Sequence, residues 1–158
     1  MTSDARFIYN RRSEGIDYTT LNSFTGKQGN ITIPEEVNGI KLIHIGDNAF
    51  YYTAISSVII PCSVTGIGTK AFYNNLLSSI LIPNLVTSLG DYAFQKCRLT
   101  SIDIPSNVMN MGIGVFKDNL LTSVTINSKE SKEDFEVYLE TTPFGWATNY
   151  SDDDISWQ

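Results

Sequence analysis

The chain has 158 residues, of which 42% are hydrophobic and 18% charged, enough for one domain or one solenoid stack with a real core. Two cysteines exclude a disulfide-framework mini-protein, and no apolar run approaches the roughly 20 residues that cross a bilayer. The net charge of −6 argues against a nucleic-acid binder; residues 1–126 hold nine acids and nine bases, and residues 127–158 hold eight acids and two bases, so the excess sits in the last 32 residues.

At the N-terminus, Phe7-Ile8-Tyr9 and Ile16-Asp17-Tyr18 flank a polar turn at Asn10–Gly15, which predicts a capping hairpin within residues 1–30. That stretch has no apolar core of the kind found in a secretory leader, so the chain either stays inside the cell or begins after processing. A first strand follows at Thr32, ended by Ile33-Pro34. Ile33 to Ile45 is 12 positions, against 7 from Ile60 to Ile67; the five extra residues fall in 37–43 and predict a wider loop.

From there a 22-residue period governs the chain. It is carried by Gly46, Gly68, Gly90 and Gly112, by Phe50, Phe72, Phe94 and Phe116, and by Ile45, Ile67, Leu89 and Met111. Ile55, Leu77, Leu99 and Leu121 form another column, and Pro61, Pro83 and Pro105 one more, continued by Asn127. Each unit predicts a short strand centred on Ile59, Leu81, Asp103 or Thr125, since Val58-Ile59-Ile60 and its counterparts are rich in β-branched residues. The proline cannot donate to a ladder and ends the strand. The glycine permits either a positive φ or a close approach between coils. The run from glycine to Phe is too short for a long helix and predicts a single 3₁₀ or α turn. One such unit cannot bury its apolar face alone; stacked units can, with the Phe column as continuous core.

These residues resemble a known family. Leu77-Ser78-Ser79-Ile80-Leu81-Ile82-Pro83-Asn84-Leu85-Val86-Thr87-Ser88-Leu89-Gly90-Asp91-Tyr92-Ala93-Phe94-Gln95-Lys96-Cys97 is similar to the BspA-like (Treponema pallidum type) leucine-rich repeats, and residues 31–126 carry the pattern. Ile31-Thr32-Ile33-Pro34-Glu35-Glu36-Val37-Asn38-Gly39 resembles the longer first repeat of that family. The departures are small: Val115 for Ala, Met111 for Ile and Asn127 for Pro. The resemblance implies a leucine-rich repeat solenoid, right-handed and curved, with short parallel β-strands, one per repeat, and 3₁₀ or short helical turns on the return side. It also implies a secreted or cell-surface bacterial protein that adheres and binds proteins, or a phage or protist surface protein, without enzymatic activity.

The residues themselves offer little chemistry. There is no P-loop, dinucleotide fingerprint, zinc spacing or Gly-x-Ser-x-Gly, so no cofactor is expected. The one histidine, His44, reads as structural or exposed. Cys97 shares a column with Thr53, Asn75 and Asn119, which reads as a buried turn bonded to neighbouring backbone; Cys62 lies at a different phase, so no disulfide is expected. Asp152-Asp153-Asp154 reads as an acidic turn rather than a calcium loop, because the spacing of a Ca²⁺ loop is missing. Residues 127–158 read as an acidic, aromatic-rich cap, with a short helix over 131–139 and a final strand at Ile155–Trp157.

A partner surface must use columns that the core does not need. On the strand face these are the outward residues Thr32, Ile59, Leu81, Asp103 and Thr125, flanked by Ser57, Ser79, Ser101 and Ser123 and by Ser56, Ser78, Thr100 and Thr122. Ile59 and Leu81 have no structural reason to be apolar there. Tyr51 and Tyr73 share a column just after the core Phe and should stack, with Tyr52 and Tyr92 close in phase. The expected function is a non-catalytic binding module whose ligand is a protein first and a glycan second. The alternative is a structural spacer, or a phage or virion surface domain, with no ligand of its own.

Overall fold

The computed structural model describes residues 6–26 and 28–127 and the backbone of 155–157. It is a β-solenoid whose coils repeat every 22 residues and stack through two sets of strands.

The first set is a continuous parallel ladder of β6 (His44–Ile45), β8 (Gly66–Ile67), β9 (Ser88–Leu89) and β11 (Asn110–Met111). Each glycine after it donates to the coil before, with Gly68 N–H to Ile45 O at 2.8 Å and Gly90 N–H to Ile67 O at 2.8 Å. Of the two roles open to these glycines, the close approach is the one used. None has a positive φ, whereas a Cβ on Gly90 would lie 2.4 Å from Thr69 N and one on Gly112 2.5 Å from Asp91 N.

The N-terminal residues form a hairpin, β1 (Phe7–Arg12) against β2 (Gly15–Phe24), and β2 joins the ladder in parallel with Thr20 opposite His44 and Leu21 opposite Ile45. Leu21 O accepts from Gly46 N–H at 2.7 Å and Phe24 N–H donates to Ala49 O at 2.8 Å, the bonds that one coil makes to the next. The five-residue insertion is a small hairpin of its own, β4 (Glu36–Val37) with β5 (Ile40–Lys41). Its turn is Asn38-Gly39, both at positive φ (54° and 75°), the geometry a two-residue hairpin needs.

The second set lies where the sequence places strands, but it is split. β3 (Gly29–Thr32) pairs with β7 (Ile55–Ile59), and β10 (Ser101–Ile104) pairs with β12 (Ser123–Ile126), which pairs with β13 (Ile155–Trp157). The strand expected at Leu81 does not form: residues 79–82 enter neither ladder. Side-chain alternation persists there, with Leu81 outward and Ile82 buried, but Ile80 is only half-buried where Val58, Ile102 and Val124 are buried. The coil still bonds its neighbours just before this stretch, through Leu76 N–H to Ile55 O at 2.9 Å and Thr100 N–H to Ser78 O at 3.3 Å.

The core is one line of rings. Phe50, Phe72, Phe94 and Phe116 are fully buried and nearly parallel, with centroids 4.9, 5.2 and 5.7 Å apart along the line. The hairpin extends it with Phe24, 5.1 Å from Phe50, and Phe7, 5.1 Å from Phe24.

The return through the Phe keeps isolated turns closed by i+3 to i bonds, as Tyr51 N–H to Asn48 O and Tyr73 N–H to Lys70 O at 3.1 Å each, and no helix occurs among the described residues. Two positions in each coil sit in the left-handed region, Asn48, Lys70, Tyr92 and Gly114 in one column and Tyr52, Asn74, Lys96 and Asp118 in the other. They interrupt any right-handed run. The alternate amides that a helix would bond internally reach instead to the next coil, as Phe50 N–H does to Ala71 O at 2.7 Å and Phe72 N–H to Ala93 O at 2.8 Å.

A buried polar column locks these turns. The Asn75 amide donates to Phe50 O (2.7 Å) and Phe72 O (2.8 Å) and accepts from Ile55 N–H (3.2 Å) and the Thr53 hydroxyl (3.0 Å). Asn119 repeats this two coils on, donating to Phe94 O and Phe116 O at 2.8 Å each and accepting from Leu99 N–H. Cys97, between them, donates to Phe72 O.

Candidate functional site

On the strand face, period-2 alternation sends Val58 and Ile60 inward and Ile59 outward. The outward column runs Thr32, Ile59, Leu81, Asp103 and Thr125. Ile59 is 64% exposed and Leu81 80% exposed, among the most open large apolar side chains described. Ser57, Ser79, Ser101 and Ser123 are exposed beside them, as are Ser56, Ser78, Thr100 and Thr122. Thr125 is half-buried, with β13 on its far side. Asp103 is exposed and pairs in register with Thr125. The surface therefore has an apolar centre, short hydroxyls around it and one carboxylate at its edge.

On the turn face, Tyr51 and Tyr73 stack at 5.1 Å and 16°, as their shared column requires. Tyr52 closes against both, 4.6 Å from Tyr51 and 5.6 Å from Tyr73. Tyr51 and Tyr52 remain exposed. The sequence reading missed the lysines. Lys96 Nζ lies 5.8 Å from the Tyr73 centroid, and Lys70 Nζ lies 6.0 Å from that of Tyr73 and 5.9 Å from that of Tyr92. Lys70 precedes Tyr73 by three residues and Lys96 follows it by a coil and one, a spacing that the 22-residue period makes readable. The hydrogen bond that the Lys96 ammonium donates to the Tyr73 oxygen holds it above its ordinary range, and desolvation by its neighbours raises the Tyr52 phenol.

The remaining candidates do not converge. His44 is exposed in β6, opposite Gly66. Cys62 is exposed and Cys97 buried, both as free thiols. Burial pushes the Cys97 thiol up to about 12, so it is not a nucleophile at neutral pH. Among the described residues no group of three or more His, Cys, Asp or Glu is placed to hold a metal ion, and no helix is long and apolar enough to cross a membrane. Asp152–Asp154 and the expected helix over 131–139 lie outside the described residues.

Residues 43–140 match the family model described as "BspA type Leucine rich repeat region (6 copies)". The chain belongs to the BspA-type leucine-rich repeat family. No curated protein matches it. Among solved structures, the T. pallidum leucine-rich repeat protein is 18% identical with a TM-score of 0.58, over 78% of this chain and 70% of that one. The pneumococcal vaccine antigen PcpA is 20% identical with a TM-score of 0.59, over 70% of this chain and 34% of that one. A leucine-rich repeat protein from Bacteroides ovatus is 20% identical with a TM-score of 0.52, over 80% of this chain and 49% of that one. At these identities the likeness is one of fold, and this BspA-type array spans about half or less of the last two proteins.

Proposed function

We propose that this BspA-type array is a non-catalytic protein-binding module working at a cell surface or outside the cell, in the manner of an adhesin, and that it engages its partner through the strand face. The observation that carries this reading is the exposure of Ile59 and Leu81, on neighbouring coils, within a field of small hydroxyls. Burying such a pair gains desolvation energy, whereas the surrounding serines and threonines exchange water for partner atoms with little net gain. Ser79, Asp103 and Thr125 would form the rim, where polar groups fix orientation. Stacked repeats of this class generally mediate protein interaction, and PcpA, of the same fold, is described as a vaccine antigen.

The test pairs a melting curve with capture from extracellular-matrix and bacterial-surface extracts, then a binding isotherm for the captured protein. Ile59→Ser with Leu81→Ser should leave folding intact, since both side chains point outward. It should weaken binding by roughly 1–3 kcal/mol. Unchanged affinity would remove the strand face as the site, and no capture by the wild-type chain would favour a spacer or a phage or virion surface domain without a ligand.

A further inference from the structure

We propose that the turn face carries a second site, for an acidic polysaccharide, with sugar rings against Tyr51 and Tyr52 and carboxylate or sulfate groups on Lys70, Lys96 and Lys117. The charges on this face are unevenly committed. Its carboxylates are occupied by structural bonds: Asp47 accepts from Thr69 N–H, Asp91 from Ile113 N–H and Asp118 from the Gln95 amide. The ammonium groups of Lys70 and Lys96 meet aromatic side chains rather than carboxylates, Lys96 donating also to the Tyr73 oxygen. No described carboxylate lies within ion-pair distance of Lys70, Lys96 or Lys117, and the ion pairs of the described residues are elsewhere, Arg12 with Asp17 and Lys41 with Glu35. Three of the nine bases of residues 1–126 thus lie on one face without an ion-pair partner, with the Asp118 charge felt at Lys96 from beyond that distance.

The aromatics set the kind of anion. Lys70 and Lys96 lie over the rings of Tyr73 and Tyr92, which fixes the ammonium groups beside the stack. Tyr51 and Tyr52, 42% and 54% exposed and tilted 57° to each other, are left as an open corner at the end of that stack. A flat ring beside a cation suits a pyranose, whose axial C–H groups pack on π faces and whose acid group reaches the ammonium. An acidic peptide would use the lysines and leave the corner empty. Lys117 continues the column of Tyr51 and Tyr73 and bonds in sequence to the coil of Lys96, through Lys96 N–H to Lys117 O at 3.0 Å. The cations therefore extend along the stack, as successive residues of a linear polymer require.

The experiment measures binding of the whole chain to polygalacturonate, heparin, neutral dextran and poly-L-glutamate. Polygalacturonate or heparin should bind, dextran should not, and affinity should fall with salt. Tyr51→Ala and Tyr52→Ala should each weaken polysaccharide binding roughly 3–10-fold, the worth of one aromatic contact. Lys70→Gln with Lys96→Gln should abolish it, and Ile59→Ser with Leu81→Ser should leave it unchanged. Poly-L-glutamate binding as tight as the polysaccharides and indifferent to the tyrosine changes would overturn the proposal in favour of a site for acidic peptides. Failure to bind either acidic polysaccharide would overturn it outright. A melting curve for each variant accompanies the titrations; if Tyr51→Ala unfolds the chain, Tyr51→Phe, which keeps the ring, should bind within about 2-fold of wild type.

Discussion

Replacing Asn75 with Ala should be among the most damaging single changes in the array. The amide makes four hydrogen bonds inside the core, and they are not equally replaceable. Thr53, whose one hydroxyl proton serves Asn75 in the native chain, can turn it to Phe50 O at 3.1 Å, and Phe72 O keeps the Cys97 thiol at 3.3 Å, so each carbonyl loses an amide donor but retains a weaker one. Ile55 N–H, in a residue with no exposed surface, loses the acceptor that Asn75 supplies. A buried N–H without its partner costs about 1–3 kcal/mol, and each weakened carbonyl adds roughly 0.5–1 kcal/mol. The sum is about 2–5 kcal/mol, a large part of the total stability of a domain this size. Urea titration followed by circular dichroism should show the midpoint falling with the slope unchanged. Asn84→Ala, at an exposed position, is the control and should cost less than about 0.5 kcal/mol. An Asn75→Ala loss equal to that control would refute the reasoning, because it would mean that water or a shifted backbone satisfies those groups.

Phe94→Ala should cost on the order of 3–5 kcal/mol by the same titration, since the ring is fully buried between Phe72 and Phe116; a loss below about 1 kcal/mol would deny the column its role. At pH 8 an aromatic disulfide reagent should titrate one thiol in the native chain, Cys62, and both after denaturation. Because the Cys97 value is raised in the folded state, from 9.0 to about 12, the stability it contributes is complete below about pH 9 and is lost as pH rises towards 12. Cys97→Ser should flatten that alkaline decline.

The parts of the fold that were legible in the sequence share one property: each residue's neighbour is its own counterpart 22 positions away. Phe94 between Phe72 and Phe116, and Cys97 between Asn75 and Asn119, follow from counting alone. So does the stacking of Tyr51 on Tyr73. Counting fails where identical patterns behave differently. Ile80-Leu81-Ile82 follows the same pattern as Val58-Ile59-Ile60, yet only the second enters a ladder, and the difference shows in packing, with Ile80 half-buried where Val58 is buried. The continuous sheet passes through two-residue strands such as Ser88–Leu89, too short to register as strands in any window of residues. Asn38-Gly39, between Glu36-Val37 and Ile40-Lys41-Leu42, did carry a hairpin signal, passed over because the insertion registers first as a break in the 22-residue period. The contacts of Lys70 and Lys96 with Tyr73 arise between columns, and that of Lys70 with Tyr92 pairs unlike residues of one column, so a search for like residues at the same phase passes over them.

The hairpin of residues 7–24 bonds the first coil through groups that every coil offers to its predecessor: Ile43 N–H, Gly46 N–H, Ala49 O and a Phe ring. The neighbour particular to the first coil is β5 of the insertion, which lies before residue 46 and stays with the hairpin when later units change. The number of coils is therefore an independent variable of the architecture. A unit such as residues 47–68 can be duplicated or deleted in frame, and the lid meets the same chemistry afterwards. Such a change would lengthen or shorten both outer faces by one pitch, altering reach and valency while the ends stay as they are.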